Sequence, residues 1–329
     1  MRHACLIGVV AVLVSTSVAG QGRGDAPPDF QTKMPWAAWE GGYNSARAGL
    51  PNVGEPFKMF DNIWYVGPEN DSVLVINTSA GIILIDTANA NTAEGVLANI
   101  RKAGFDPKNI KYILISHGHN DHFGGAGRIK QEAPDARIGV SGPDWDLITL
   151  QQGMNGAGLP LTKDLVLKDM DKITLGDTTV VAHDESGHSI GAMAFEIPAK
   201  LGGRTYRLIN MRLSIRQANV LLLDELYVKS MQRLIDRGPW DGILPEHAFT
   251  PIMRGPLDAK QVYLGYAPNP KNEGPNASVQ GKAFTDAFLH DVMKVAQDKW
   301  DYDKAHPPAP GTPNPGIPNA ATLPSPYGK

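Results

Sequence analysis

The hexapeptide His117-Gly118-His119-Asn120-Asp121-His122 follows directly on residues 111–116, a short apolar run of buried-strand type. In an extended segment, side chains two apart point the same way, so His117 and His119 can grip one metal ion. As the chain turns into a helix expected to begin near Gly124, Asp121 and His122 swing to the other side and can reach a second ion. Three imidazoles and a carboxylate are nitrogen and oxygen donors that suit zinc. Gly118, Gly124 and Gly125 leave room for a tight backbone path around the metals. A histidine-rich surface loop is the plainer alternative. The chain has only nine histidines, and random placement would give this spacing in well under about 1% of such chains.

Two ions need ligands from elsewhere in the chain. His188 lies in Glu185-Ser186-Gly187-His188-Ser189-Ile190-Gly191, a glycine-flanked turn after an expected strand. His247 closes Leu244-Pro245-Glu246-His247, again just past a strand. Strand ends and the loops beyond them are where metal and catalytic residues of layered folds collect. His183 sits among strand residues and His290 on an expected helix, so both read as structural or surface histidines.

Around these residues the chain alternates. Strands are expected at residues 62–66, 72–77 and 81–85, a helix over 92–103 ending at Gly104, and strands at 111–116 and 137–140. A hairpin follows over 172–182 with a Gly176-Asp177 turn, then strands at 192–197 and 204–209 around Gly202-Gly203. A helix at 224–237, a short strand at 242–244 and a helix at 284–300 complete the pattern. The 329 residues, 42% of them hydrophobic, suffice for a substantial core. A net charge of -3 offers no basic surface for nucleic acid.

At the N-terminus, Arg2 and His3 precede an apolar stretch over 6–14 and a Ser-Val-Ala close near Ala19. Residues 1–19 therefore read as a secretory signal peptide, too short for a good membrane span. Residues 20–54 read as a linker-like segment, 55–300 as the catalytic domain and 301–329 as a Pro-rich flexible tail. Cys5, the single cysteine, leaves with the signal, so the mature chain would hold no disulfide and no thiol ligand.

Residues 55–300 resemble the metallo-β-lactamase superfamily in five landmarks taken in order. These are Leu84-Ile85-Asp86-Thr87, the hexapeptide, Ser186-Gly187-His188-Ser189, a strand in the 204–214 region, and His247. The resemblance implies an α+β fold, an αββα sandwich of two mixed β-sheets flanked by helices, with the metals at one edge. It implies that His117, His119 and His188 hold a first zinc and that Asp121, His122 and His247 hold a second. Asp86 would be a buried residue that orders the metal loop. The cysteine-free di-zinc subclass of β-lactamases is the most similar group, since other subclasses place a cysteine on the second zinc.

The chemistry implied is hydrolysis by a zinc-held hydroxide, since zinc lowers the pKa of bound water from about 15.7 to about 7. Asp121 would orient that hydroxide as well as bind metal.

Two departures bear on the substrate. Ser189-Ile190-Gly191 stands where the subclass has Thr-Pro-Gly, and Asn210-Met211-Arg212-Leu213-Ser214 replaces an Ala-Asp-Ser type segment. Met211 cannot bridge metals as an aspartate does in glyoxalase-type relatives, so a thioester hydrolase of that sort is not expected. Ser214 matches a serine that holds the substrate carboxylate. Arg212 could add positive charge for the same task or face solvent, and Asn210 could lean on a metal.

The reading is a periplasmic hydrolase with two Zn2+ ions and a small-molecule substrate, opening an amide or β-lactam ring. Alternatives are a hydrolase of the same fold acting on a lactone, an ester or a halogenated aromatic, and a non-catalytic zinc-binding protein. Neither nucleic acid nor stable membrane insertion is expected, and an oligomer is compatible with the sequence.

Overall fold

The structure is a computed structural model that describes residues 54–68, 71–153, 158–215, 219–247 and 281–307, with 28, 30 and 279 besides. The expected signal peptide, nearly all of the linker and the tail beyond residue 307 lie outside the described residues.

Twelve strands among the described residues form two sheets. The first carries β1 (Phe57–Lys58), β2 (Ile63–Tyr65), β3 (Leu74–Thr78), β4 (Gly81–Ile85), β5 (Ile110–Leu114), β6 (Arg137–Ser141) and β7 (Leu165–Leu167), in that spatial order. β1 to β4 pair antiparallel and β4 to β7 parallel. The second sheet has β8 (Lys172–Leu175), β9 (Thr178–Asp184), β10 (Met193–Leu201), β11 (Arg204–Met211) and β12 (Gly242–Pro245), with only β11 and β12 parallel. Both sheets are mixed, as the resemblance implies.

Alternation along the strands builds three apolar layers. Leu74, Ile76, Ile83 and Ile85 face Phe195, Ile197, Ala199 and Leu208 between the sheets. The opposite face of the first sheet, with Val75, Leu84 and Ile113, is covered by α1 (Ala93–Lys102), α3 (Ala126–Glu132) and α4 (Gly142–Gln151) through Val96, Ile100, Ile129 and Trp145. α2 (Asn120–Phe123) is a single turn that lies between β5 and α3. On the second sheet, Ala194, Ile209, Met211 and Ile243 pack under α5 (Leu221–Arg237) and α6 (Lys282–Ala305) through Tyr227, Met231, Phe288 and Val292. The layers run helix, sheet, sheet, helix.

Most expected elements are found within a few residues. Gly202 and Gly203 take φ values of 57° and 78° in a two-residue turn between β10 and β11. Positive φ at both turn residues matches the twist of the paired strands. The last helix runs to Ala305, five residues past the expected end at Trp300. Lys299 and Asp303, one turn apart, are both buried there and pair with one another. α4 and β7 are additions that the sequence pattern did not yield. Among the described residues no helix is long and apolar enough to cross a membrane.

Candidate metal centre

β4, β5, β9, β11 and β12 all end at one edge of the sandwich, and the segments leaving them bring the histidines together. His117 and His119 follow β5, Asp121 and His122 ride on α2, His188 lies between β9 and β10, and His247 follows β12. Three overlapping groups converge: His117, His119 and His188; His117, Asp121 and His122; Asp71, Asp121 and His247. All six expected ligands thus meet. Asp71, just before β3, joins them; the sequence reading did not single it out.

In the first group His119 Nδ1 lies 3.1 Å from both His117 Nε2 and His188 Nε2. Between the second and third groups, His122 Nε2 and His247 Nε2 are 3.3 Å apart. Asp121 Oδ2 stands 3.5 Å from His122 Nε2 and 3.6 Å from His247 Nε2. Asp121 is the more open of these, its side chain 32% exposed beside a His122 ring at 1%.

Carboxylates stand behind the imidazoles. Asp86 Oδ2 lies 2.8 Å from His122 Nδ1, Asp71 Oδ1 3.2 Å from His247 Nδ1, and Glu246 Oε2 3.4 Å from His117 Nδ1. Such partners fix the ring and leave the far nitrogen turned inward.

Burial holds His117 well below the ordinary histidine value, helped by the charges of His122, His119, His188 and Arg212. His247 is lowered by burial and by Arg212, against Asp71. Neutral rings with a free lone pair are what a cation requires. His122 is held well above the ordinary value, because Asp121 and Asp86 outweigh its burial. Asp121 resists burial through the charges of His122, His247 and Arg212 and stays well below the ordinary carboxylate range.

Asp144 of α4, fully enclosed, ties the His117–His119 segment to the His188 loop. It accepts hydrogen bonds from Gly118 N at 2.7 Å, Ser189 Oγ at 2.6 Å and Gly191 N at 2.9 Å. Its helix begins at Ser141, whose hydroxyl accepts from Asp144 N, with Pro143 in the first turn. Ser-Gly-Pro-Asp is a legible helix start, and this was the signal overlooked. Two buried carboxyls adjoin flagged positions. Glu185 is pushed well up by burial and by Glu246. Glu246 is pushed up to about 8 by burial, with Asp86 adding and His122 and Arg212 opposing.

Arg212 does not face solvent: it is 7% exposed. Its Nε donates to Ser214 Oγ at 2.6 Å, and its Nη1 lies 3.3 Å from His122 Nε2 and closer still to His247 Nε2. Asn210 sits in the sheet and donates to Leu244 O at 2.9 Å. Met211 is buried under α5 and α6. His183 belongs to a separate cluster with Glu196, Arg237 and Trp240.

Residues 66–200 match the family model of the metallo-beta-lactamase superfamily. Residues 66–200 therefore carry a metallo-beta-lactamase superfamily domain, and the four-layer fold agrees with it. More particularly, the fold is that of the subclass B3 metallo-beta-lactamases. One from Bradyrhizobium japonicum superposes with a TM-score of 0.67 at 26% identity, over 80% of this chain and 99% of that one. A metallo-beta-lactamase from Elizabethkingia meningoseptica gives 0.63 at 24% identity, over 78% and 94%. A hydroxyacylglutathione hydrolase of Pseudomonas savastanoi pv. phaseolicola is 35% identical over 83 residues, 25% of this chain and 26% of that protein. The chain spans between about a quarter and a half of the length of the curated relatives it matches.

Proposed function

We propose that this chain is an exported zinc hydrolase that opens a small cyclic amide, a β-lactam foremost. The observation that carries the reading is the triangle of ring nitrogens on His117, His119 and His188. With zinc–nitrogen bonds near 2.05 Å, tetrahedral ligands lie about 3.3 Å apart, and His119 Nδ1 stands 3.1 Å from each of the other two nitrogens. Donor type, spacing and the neutral state of His117 all suit zinc. Asp121, His122 and His247 have the donors for a second ion, though Arg212 stands against two of them.

Bound zinc would supply Lewis acidity and a water acidic enough to attack at neutral pH. The chain's own residues do the rest. Asp121, ionised and the most open of the acidic groups, accepts a hydrogen bond from the attacking water and holds it in line. Asp86, Asp71 and Glu246 keep three rings in register behind it. Ser214, held 2.6 Å from Arg212 Nε, and the Arg212 guanidinium put hydroxyl and positive charge beside the site, suited to a substrate carboxylate. No serine or cysteine nucleophile is called for.

A second reading is a thioester hydrolase, favoured by the stretch that is 35% identical to hydroxyacylglutathione hydrolase. Burial of Met211 in the helix-side core weighs against it, because no carboxylate is offered at that position. Export rests on the basic, apolar and small-residue order of residues 1–19.

The test is a hydrolysis panel on zinc-loaded protein with β-lactams, lactones, an acyl-glutathione thioester and activated aryl halides. Lactam turnover that disappears in His119→Ala, together with its metal, is expected. Absence of lactam turnover in fully loaded protein would sink the lactam assignment, and thioester turnover in its place would select the second reading.

A further inference from the structure

The geometry points to Arg212 as a built-in cation at the second metal position, so that the chain binds one tight metal ion and not two. The inference rests on the metallo-hydrolase reading above and refines it. His122 Nε2 and His247 Nε2 are 3.3 Å apart and both approach Asp121 Oδ2, which is the layout of a second ion's ligands. Arg212 Nη1 lies against this same pair, in hydrogen-bond contact with His247 Nε2 and 3.3 Å from His122 Nε2.

A guanidinium has five N–H donors and no acceptor, so it cannot be a ligand. Its contact with His247 Nε2 engages the lone pair a metal would use there, and its approach to His122 Nε2 obstructs the other ring. It also keeps its charge, since arginine does not lose its proton in proteins. A divalent ion placed beside it meets like charge in a water-poor pocket, where such repulsion is weakly screened.

The arginine is seated, not passing through. Its backbone N–H donates to Glu185 Oε1 at 2.8 Å, its Nε to Ser214 Oγ at 2.6 Å, and its side chain is buried. The Asp121 carboxylate lies beside the same two imidazoles and offsets its charge. Its side-chain contacts run to Ser214, His122 and His247. The two positions are thus unequal. His117, His119 and His188 form an ion site open to metal, while Asp121, His122 and His247 form one already answered by a side chain.

The experiment is zinc content of the full-length protein after equilibrium dialysis against micromolar free zinc, read by elemental mass spectrometry. Wild type is compared with Arg212→Met, which keeps an apolar stem, and Arg212→Ala, with circular dichroism to establish folding. One equivalent is expected in wild type and two in either folded Arg212 variant, the second bound at least 100-fold more tightly than any second equivalent in wild type. His119→Ala should lose the wild-type equivalent. Two tight equivalents in wild type, or one in both folded variants, would overturn the inference and leave the hydrolase reading standing. No bound zinc in wild type would remove both.

Discussion

Asp86 Oδ2 lies 2.8 Å from His122 Nδ1, while the other oxygen accepts the backbone N–H of Ser116 at 2.7 Å. One carboxylate therefore fixes the His122 ring and the residue before the hexapeptide. Asp86 adopts φ 57°, a conformation that side-chain-bearing residues rarely take. Its own N–H donates to Leu114 O at 2.9 Å, so the end of β5 holds it there. The local backbone cost is accepted because the turn aims the carboxylate into the site.

Asp86→Asn should therefore weaken metal binding by about 10- to 100-fold, because Asp86 seats Ser116, whose Oγ lies 3.2 Å from His117 Nδ1, and partners behind a metal-holding histidine carry about that much. The amide can still accept from Ser116 N–H but no longer offers two acceptor oxygens to Ser116 and His122. Competition with a chelator of known affinity measures the loss. Unchanged affinity would show that Asp86 does not reach the metal through Ser116 and His117.

Gly187→Ala should displace the His188 loop. Gly187 has φ 137°, and a Cβ there would fall 2.4 Å from Tyr227 Cβ and 2.5 Å from Tyr227 Cα. Both the backbone region and the contact with the α5 backbone oppose a side chain. A destabilisation of about 2 kcal/mol or more is expected, with loss of the metal held through His188. Thermal unfolding and zinc content, measured together, check it.

Much of this was legible in the sequence because it is local. The i, i+2 spacing of His117 and His119, the glycine-bounded His188 turn and the two-glycine turn at Gly202 and Gly203 each carry their geometry in a few residues. Asp71 was not legible, because it reaches His247 only through a bridge between residues 176 positions apart in sequence. Asp144 needed its helix first, and the mixed polar and apolar pattern of Gly142–Gln151 hides a helix whose face is only partly buried. Arg212 was seen, but whether it faced solvent or the histidines depends on how β11 and β12 pair. That is a tertiary fact with no signature in the segment itself.

Glu196 should give an acid-sensitive share of stability. Arg207 binds it through Nε at 2.7 Å and Nη2 at 2.9 Å, and His183 Nε2 lies at 3.2 Å. Burial pushes its carboxyl up, but His183 and Arg207 outweigh it, bringing the value from 4.5 to about 2. A folded value below the unfolded one means stabilisation that is present above pH about 4.5 and lost as pH falls towards 2. The stability gap between wild type and Glu196→Gln should be flat above pH about 5 and close below it. Urea unfolding at successive pH values, with a chelator throughout, reads this directly. A gap independent of pH would exclude the ionised carboxylate as its source.

Lys299→Met tests what joins the last helix to α5. Lys299 Nζ lies 2.7 Å from Asp224 Oδ1 and 2.5 Å from Asp303 Oδ2, with side-chain exposures of 2%, 6% and 7%. Burial and Asp303 push the Asp224 carboxyl up to about 7 against the pull of Lys299. The lysine thus sets one ammonium between two acids in a place with little water. Removing it leaves both carboxyls without their ammonium, a loss of about 3–5 kcal/mol for a buried ion group stripped of one partner. Removing charge of both signs should cost less, because one buried carboxyl and not two is then left without its ammonium. Lys299→Met with Asp224→Leu should recover part of the loss, leaving Asp303 at the helix end. If the double variant is as unstable as Lys299→Met alone in urea, the lysine contributes through its packed stem, and charge pairing is not what docks α6 on α5.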